Sequence, residues 1–211
     1  MKKLFYSVVT LLIIACSSDD SSSDNNPPPP STTTITDTNF EQALIDLGYD
    51  DTLNGSVLTS SIELVIDLII DDKNISDLSG IQDFKNLYTL SANENSISSI
   101  NVSSNTKLKF IFLDENNLNT INVQNLPMLE KLSLSNNNIT AINVNSITTL
   151  QQLMIDGNTI SQLNASTNTS LNILDTRNNN LSCIEVSSDQ LSNIPSGWNK
   201  DDTTTYNTNC N

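Results

Sequence analysis

Acidic side chains at adjacent or recurring positions are the residues with the clearest potential for chemistry. Asp71, Asp72, Asp114, Glu115 and Asp156 could supply the two carboxylates that hydrolyse a glycosidic bond. That reaction requires one carboxyl group with a raised pKa, which an enclosing pocket provides. Adjacent acids on an open surface are more often a solvated edge, so we expect no catalysis from them.

The sequence contains no histidine, which removes the most common general base and the most common metal ligand. A second oxygen-rich segment, residues 50–55, partly matches a calcium-binding EF-hand loop that starts at Asp50 and has Gly55 at its sixth position. The twelfth position would be Ser61 instead of the bidentate glutamate, which favours a polar turn over a calcium site. We therefore predict that the protein is not an enzyme and has no cofactor and no bound metal.

The charge of the chain limits its partners. The formal net charge is −15, from 24 acidic and 9 basic residues. Such a surface repels the phosphates of nucleic acids and anionic lipid headgroups, so we expect no nucleic-acid partner and no electrostatic binding to a membrane. The same charge favours solubility, and we expect a monomer.

Residues 1–15 read as an export signal. Lys2 and Lys3 precede an apolar run over residues 4–15, which is shorter than the roughly 20 residues of a membrane-spanning helix. The run ends at Ala15, and a small residue directly before a cysteine here resembles the lipobox of bacterial lipoproteins. The resemblance implies cleavage before Cys16 and acylation of this residue. A chance cysteine near an ordinary cleavage site is the alternative.

Residues 16–35 read as a polar tether. Residues 17–20 resemble the acidic export signal of surface-exposed lipoproteins in the Bacteroidetes. The segment has few apolar side chains whose burial could offset the entropy of ordering, and the prolines at 27–30 favour a stiff polyproline II spacer. We therefore expect a protein that is anchored by lipid to the outer membrane and exposed at the cell surface.

The body of the chain repeats with a period of 21 residues. Each copy begins with leucine, and mostly apolar columns follow at offsets of 3, 5, 10, 13 and 15 residues. Asparagine fills the column at offset 8. The copies begin at Leu87, Leu108, Leu129, Leu150 and Leu171, and the asparagines are Asn95, Asn116, Asn137, Asn158 and Asn179.

These columns resemble the L-x-x-L-x-L-x-x-N-x-L pattern of leucine-rich-repeat proteins. The resemblance covers residues 65–186, including an earlier, 22-residue copy that begins at Val65 and has Lys73 in the asparagine column. It implies an α/β, mostly β fold, a right-handed solenoid of about six repeats with a parallel concave sheet. It also implies that the asparagines turn inward and bond the backbone of adjacent turns. Because the unit is short for this family, we expect extended or 3₁₀ segments on the convex side.

An open solenoid exposes apolar edges and needs a cap at each end. Residues 36–64 form the predicted N-terminal cap, with a short helix that Asp37 begins and Gly48 ends. This opening resembles the N-terminal flank of flavobacterial leucine-rich-repeat proteins.

Residues 187–211 form the predicted C-terminal cap, in which Trp198 is expected to pack over the exposed core. If Cys16 is lipidated, Cys183 and Cys210 are the remaining cysteines of an exported protein, so we expect a disulfide between them. Two free thiols are the alternative.

Two aromatic residues stand out on the face that the pattern predicts to be concave. Phe110 and Phe112 are both expected to point to solvent, where large aromatic side chains are uncommon. With Met154 they could form an apolar centre in an acidic rim, which is typical of a protein or glycan site. Scattered apolar surface residues are also normal. The candidate ligand-binding residues are Phe110, Phe112, Met154, Asp114, Glu115 and Asp156.

We therefore predict a non-catalytic, membrane-anchored leucine-rich-repeat protein that binds a protein or glycan through its concave face. A structural or display lipoprotein with no discrete ligand is the second hypothesis, and an acidic glycoside hydrolase is the third. The relatives often continue into a gliding-associated secretion domain. This sequence ends at Asn211 without one, so we expect lipid anchoring instead of secretion into the medium.

The lipid anchor can be tested by replacing its attachment point. A Cys16→Ser variant should move from the membrane fraction to the soluble fraction, because the predicted acylation needs the thiol. Fractionation of cells that express the parent and the variant measures this. A variant that stays in the membrane fraction would exclude the lipoprotein hypothesis.

Overall fold

The computed structural model describes residues 28–210, so the predicted signal peptide, Cys16 and most of the predicted tether lie outside the described residues. Within residues 28–210, no helix has the length and apolar character needed to cross a membrane. In chain order the elements are β1 (Thr32–Thr34), α1 (Thr38–Asp46), β2 (Ser56–Leu58), α2 (Thr59–Ile62), β3 (Asp67–Ile69), a 3₁₀ helix (Ile81–Asp83), β4 (Thr89–Ser91), β5 (Phe110–Phe112), β6 (Lys131–Ser133), β7 (Gln152–Met154), β8 (Leu163–Asn164), β9 (Ile173–Asp175), β10 (Cys183–Glu185), α3 (Ser188–Ser192), β11 (Gly197–Asn199) and β12 (Thr205–Asn207).

Seven short parallel strands form the main sheet, in the order β3, β4, β5, β6, β7, β9 and β11. Each residue of a strand pairs with the residue at the same repeat position in the next strand, as Ile111 of β5 does with Leu90 and Leu132. The period of the sequence therefore sets the register of the sheet. The predicted solenoid with its parallel sheet is confirmed.

The seventh strand comes from the segment that follows the predicted repeats. In β11, Trp198 pairs with Leu174 of β9 and takes the position that leucine or isoleucine has in the earlier strands. The indole is 7% exposed, and its Nε1 donates to the carbonyl oxygen of Leu171 at 3.2 Å. The C-terminal segment thus adds a turn to the solenoid, and Trp198 covers the last layer of the core, as expected.

The apolar columns of the repeat fill the interior of the solenoid. The valines at offset 15, Val102, Val123 and Val144, are fully buried on the convex side. The predicted extended conformation is assigned as strand there only late in the chain, where β8, β10 and β12 form a three-stranded sheet. In the earlier repeats the convex side consists of turns and the short 3₁₀ helix. A 21-residue turn therefore has little room for helices.

A ladder of asparagine side chains joins each turn to the turn before it. Nδ2 of Asn137 donates to the carbonyl oxygens of Leu113, Leu134 and Ser135 at 2.9, 3.1 and 3.3 Å. Its Oδ1 accepts the backbone N–H of Leu118 at 2.9 Å. Leu113 and Leu118 belong to the preceding repeat, so one side chain satisfies buried backbone groups of two turns. The same contacts recur at Asn95, Asn116, Asn158 and Asn179.

Helix α1 is tied to the first repeat through its N-cap. Oδ1 of Asp37 accepts the backbone N–H groups of Asn39 and Phe40 at 2.9 and 3.0 Å, which begins the helix. Oδ2 accepts the N–H groups of Ser76 and Asp77 at 2.8 and 3.1 Å. Burial raises the pKa of Asp37, but these hydrogen bonds outweigh it and leave the pKa below its ordinary value.

The predicted tether is wrong at its C-terminal end. Thr32–Thr34 form β1, which pairs antiparallel with β2, and Thr33 and Ile35 are buried. The Thr33 hydroxyl donates to Oδ2 of Asp83 at 2.9 Å. The prediction rested on the few apolar side chains of the segment, but alternate side chains of an extended segment face opposite sides, so Thr33 and Ile35 share the core face.

The C-terminal cysteines form the expected disulfide. Cys183 lies in β10, and its Cα is 5.7 Å from that of Cys210. Strand β12, just before Cys210, pairs parallel with β10. The bridge therefore fastens the end of the chain to the convex side of the last repeats.

The asparagine ladder predicts that a single inward amide carries a large part of the stability. Asn137→Ala should lower the free energy of unfolding by about 2–4 kcal/mol, because several buried backbone groups lose their partners. Urea unfolding followed by circular dichroism measures the loss.

Asn138→Ala is the matched control, since the neighbouring Asn138 is exposed and should change stability by less than about 0.5 kcal/mol. Equal stability of the two variants would contradict the role of the ladder.

Candidate ligand-binding face

The two phenylalanines of β5 lie on the outer side of the main sheet. They flank Ile111, which is fully buried, and both are half-buried themselves. Because side chains alternate along a strand, Phe110 and Phe112 point away from the core together. On the adjacent strands β4 and β6, Thr89 and Lys131 stand beside Phe110.

Phe110 is held by an aromatic and cationic cluster. Its ring contacts Tyr88 edge to face, with 5.3 Å between the ring centroids. The Nζ atoms of Lys109 and Lys131 lie 5.7 and 5.6 Å from the Phe110 centroid. Lys109 also forms an ion pair with Glu130 at 2.9 Å. Its hydrogen bond to Glu130 and, to a smaller extent, its hydrogen bond to Tyr88 raise the pKa of Lys109. Phe110 therefore faces two lysine ammonium groups.

The expected apolar centre of Phe110, Phe112 and Met154 is not continuous. In the sheet register, Ser133 of β6 stands between Phe112 of β5 and Met154 of β7. The two apolar side chains are thus two strands apart, about 10 Å between their backbones. Phe112 is a separate aromatic anchor between Ser91 and Ser133.

The serines beside Phe112 are hydrogen-bonded to carboxylates, which the sequence pattern does not predict. The Ser133 hydroxyl is buried and donates to both carboxylate oxygens of Asp114, at 2.7 and 2.8 Å. Ser91 binds Asp71 in the same way two repeats earlier. On β9 the corresponding residue, Asp175, is buried and paired with Arg177. Hydrogen-bonded pairs of serine and aspartate, which we call the serine seam, therefore flank Phe112 on β4 and β6, whereas Phe112 and Met154 interrupt them at the same repeat position.

The acidic residues follow the strands, and the structure gives them structural partners. Oδ1 of Asp114 accepts the backbone N–H of Ser135 at 2.7 Å. The Ser135 hydroxyl in turn donates to Oδ1 of Asp156 at 2.5 Å. Burial raises the pKa of Asp114, hydrogen bonds from Ser133 and Ser135 oppose this, and the charges of Asp156 and Glu115 add to it.

Glu115 has a different role in the backbone. It has a positive φ of 54°, and the same left-handed conformation occurs at the equivalent residue of the other repeats. Its N–H donates to the carbonyl oxygen of Ser135 at 2.9 Å. This column is thus the turn that ends each strand, and the exposed Glu115 carboxylate marks the rim of the face. The other members are Asp72, Glu94, Asn136, Gly157 and Asn178.

The segment with partial resemblance to a calcium loop wraps around a carboxylate. Oε1 of Glu41 accepts the backbone N–H groups of Asn54, Gly55 and Ser56 at 2.8, 2.6 and 3.1 Å. Glu41 is buried, so these donors stabilise its negative charge. The segment is a polar turn around Glu41. In residues 28–210 no three or more His, Cys, Asp or Glu side chains are placed to hold a metal ion.

Sequence reasoning missed an apolar groove at the edge where the strands begin. Leu64, Ile66, Tyr88 and Met128 line it, and the first two are among the most exposed large apolar residues, at 70% and 58%. The repeat positions directly before each strand vary in chemistry from copy to copy, so no column marks them. The available signal was Leu64 and Ile66 on either side of Val65, outside the core pattern.

Solved structures of other proteins share this architecture. InlJ from Listeria monocytogenes matches with a TM-score of 0.68 and 22% identity over 86% of this chain and 45% of that one. The internalin InlF from L. monocytogenes matches with a TM-score of 0.66 and 20% identity over 82% and 56% of the two chains. The chain has a leucine-rich-repeat fold. It spans about half the length of these two structures.

A structure of the LRIM1/APL1C complex also shares the leucine-rich-repeat fold. It matches with a TM-score of 0.57 and 25% identity, over 62% of this chain and 27% of that one. Comparison with protein-family models gives no match, and comparison with curated proteins gives none.

The pKa of Asp114 gives a prediction for stability. Because the pKa is raised in the folded state, protonated Asp114 adds most to the free energy of unfolding at low pH. This contribution is lost as the pH rises through the folded-state pKa. Asp114→Asn keeps an acceptor for the Ser135 N–H and removes the buried charge. The variant should therefore gain stability relative to the parent between about pH 4 and pH 7 in urea unfolding.

Asp114→Ala is the control, because it also removes the carboxyl but leaves the Ser135 N–H without an acceptor, so it should be about 1–3 kcal/mol less stable than Asp114→Asn at both ends of this pH range. An Asn variant whose stability follows that of the parent equally at both pH values would contradict the raised pKa.

Proposed function

We propose that the protein is a non-catalytic recognition module that binds a partner protein through the outer face of its parallel sheet. The observation that carries this proposal is the pair Phe110 and Phe112, half-buried on a face whose neighbouring positions are mostly hydroxyls, carboxylates and amides. Aromatic anchors inside a polar surround dominate the energetics of protein interfaces.

The face is preorganised for binding. Phe110 is fixed by Tyr88 and two lysines, and the seam through Ser133 and Asp114 holds the backbone beside Phe112. A partner therefore meets side chains whose freedom is already restricted, and binding costs less conformational entropy. Both anchors lie on β5 two residues apart, so the strand holds their backbones at a fixed spacing of about 6.6 Å.

A protein ligand is the form of the proposal that the cluster at Phe110 favours. Tyrosine and phenylalanine are enriched at protein interfaces. The LRIM1/APL1C structure is a complex of two proteins, and it supports the same use of this fold. A glycan ligand is the alternative that the experiment below distinguishes.

The proposal includes the location of the protein. The lipobox-like sequence that ends at Cys16 supports a lipid anchor in the outer membrane, and the polar segment after it supports exposure at the cell surface. The net charge of −15 supports a monomer, because identical acidic surfaces repel one another.

Neither alternative function is favoured by a specific contact. A display element without a ligand leaves the exposed aromatic pair unexplained. A glycoside hydrolase needs a carboxylate that is free to reach a substrate, whereas the oxygens of Asp114 are already bonded to Ser133 and Ser135.

The test uses the full chain on a glycan array and on extracts of cell-surface proteins, with Phe112→Ser and Ile173→Ser variants. Ile173 is an exposed residue of the same face on β9 and serves as the matched control. We expect the parent and the Ile173 variant to bind the same protein ligand with similar affinity. The Phe112 variant should bind it at least about tenfold more weakly, as loss of an anchor does.

Binding to glycans and to no protein would show that the ligand is a glycan and would overturn the protein-ligand form of the proposal. The absence of any ligand, or equal binding by all three chains, would overturn the proposed recognition face.

A further inference from the structure

The groove at the start of the strands is the strongest apolar feature of the described surface that the proposed face does not include. It has a volume of about 580 Å³ and is lined by Leu64, Ile66, Asn86, Tyr88, Lys107 and Met128. These residues come from successive repeats and stand just before the strands, so the groove runs across the repeats along one edge of the sheet. We call it the edge groove.

Its apolar residues are exposed in a way that costs free energy in water. Leu64 is 70% exposed, Ile66 58% and Met128 48%. Single apolar residues on a surface are normal, but several that line one depression are typical of an interaction site. Tyr88 joins the groove to the proposed face, because its ring also contacts Phe110.

The charges beside the groove differ from those of the chain as a whole. The chain has a net charge of −15, yet Lys107 lines the groove and Lys131 lies against Phe110 at its border. Nζ of Lys107 bonds the amide oxygen of Asn86, and neither lysine has a carboxylate partner among residues 28–210. Lys109, between them, is neutralised by Glu130.

The opposite edge of the sheet carries the acidic residues that follow the strands. Because parallel strands all begin at one edge and end at the other, the two groups are separated by the width of the sheet. These acidic residues are Asp71, Asp72, Glu94, Asp114, Glu115 and Asp156. Glu63, Asp67 and Glu130 also lie at the groove's edge, so a ligand with negative charge is drawn there specifically by Lys107 and Lys131, which lack carboxylate partners among residues 28–210, and is repelled by the other edge.

We propose that the edge groove binds a segment of a partner protein in which apolar side chains alternate with carboxylates. The apolar side chains would fill the space between Leu64, Ile66, Tyr88 and Met128, and the carboxylates would pair with Lys107 and Lys131. This proposal rests on the proposed function and specifies the chemistry of the partner. It also extends the recognition surface from the sheet face to its edge.

The experiment selects a displayed library of random peptides on the full chain and reads the composition of the enriched sequences. We expect enrichment of peptides that contain both carboxylates and large apolar residues. Ile66→Ser with Met128→Ser, and separately Lys107→Gln with Lys131→Gln, should each weaken binding of these peptides at least tenfold. Both pairs of substitutions are at the surface, so the fold should be retained, which circular dichroism checks.

Matched controls carry the same changes away from the groove. Leu53→Ser and Leu191→Ser replace leucines that are 51% and 41% exposed, and Lys200→Gln removes a lysine beside Tyr206. All three should bind the selected peptides like the parent.

The outcomes separate this proposal from the proposed function. Enriched peptides that are lost on Phe112→Ser but kept by both groove variants would overturn the edge groove and leave the sheet face as the site. No enrichment, or enrichment of basic or uncharged peptides, would overturn the groove's stated specificity.

Two other occupants are measured on the same variants. Binding of the full chain to vesicles of phosphatidylglycerol that the groove variants lose, without peptide enrichment, would show a lipid site and overturn the proposal. Self-association in sedimentation that the groove variants abolish would show a second copy of the chain and would also overturn it.

Discussion

The asparagine ladder is the constraint on which the rest of the structure depends. A turn of 21 residues leaves buried backbone groups that no strand or helix satisfies, and the inward amides of the ladder supply partners for them. Since Asn137 bonds Leu113 and Leu118 of the preceding turn as well as its own backbone, each turn is completed only by its neighbour. The first copy has an exposed Lys73 in this column, and there the carboxylate of Asp37 binds the backbone of Ser76 instead. At the N-terminal cap a carboxylate thus takes the place of an asparagine amide.

A fixed register has a direct consequence for recognition. Because every turn stacks without offset, positions before the strands line one edge of the sheet and positions after them line the other. The apolar groove and two lysines without a carboxylate partner among residues 28–210 lie at the first edge, and the carboxylates that bond the serines of the sheet lie at the second. Phe110 contacts Tyr88 towards the first edge, and Phe112 stands beside Ser133, which bonds Asp114 towards the second. The proposed function and the edge groove are two parts of one surface whose polarity follows from the stacking.

The sequence predicted the features that recur with the repeat. The leucine and asparagine columns gave the parallel sheet, and Cys183, Cys210 and Trp198 gave the closure of the last turn. It did not predict features that depend on one contact between distant residues. Thr33 and Ile35 were assigned to the tether because their partners lie in other segments of the chain. The raised pKa of Asp114 arises from its burial, which no column of the repeat indicates. The edge groove is formed by residues that are close in space but differ in residue type.

The account makes the ladder the reason that the repeats fold as one unit. Hydrogen exchange of the full chain tests this directly, through the backbone N–H groups of Ile97, Leu118, Ile139 and Ile160. Each donates to the asparagine Oδ1 of the following repeat at 2.9 Å. The account predicts that all four exchange only through global unfolding, with one common free energy that falls with added urea as the global transition does. Exchange at low free energy that is insensitive to urea would show that the repeats open separately, and would contradict the ladder as the element that joins them.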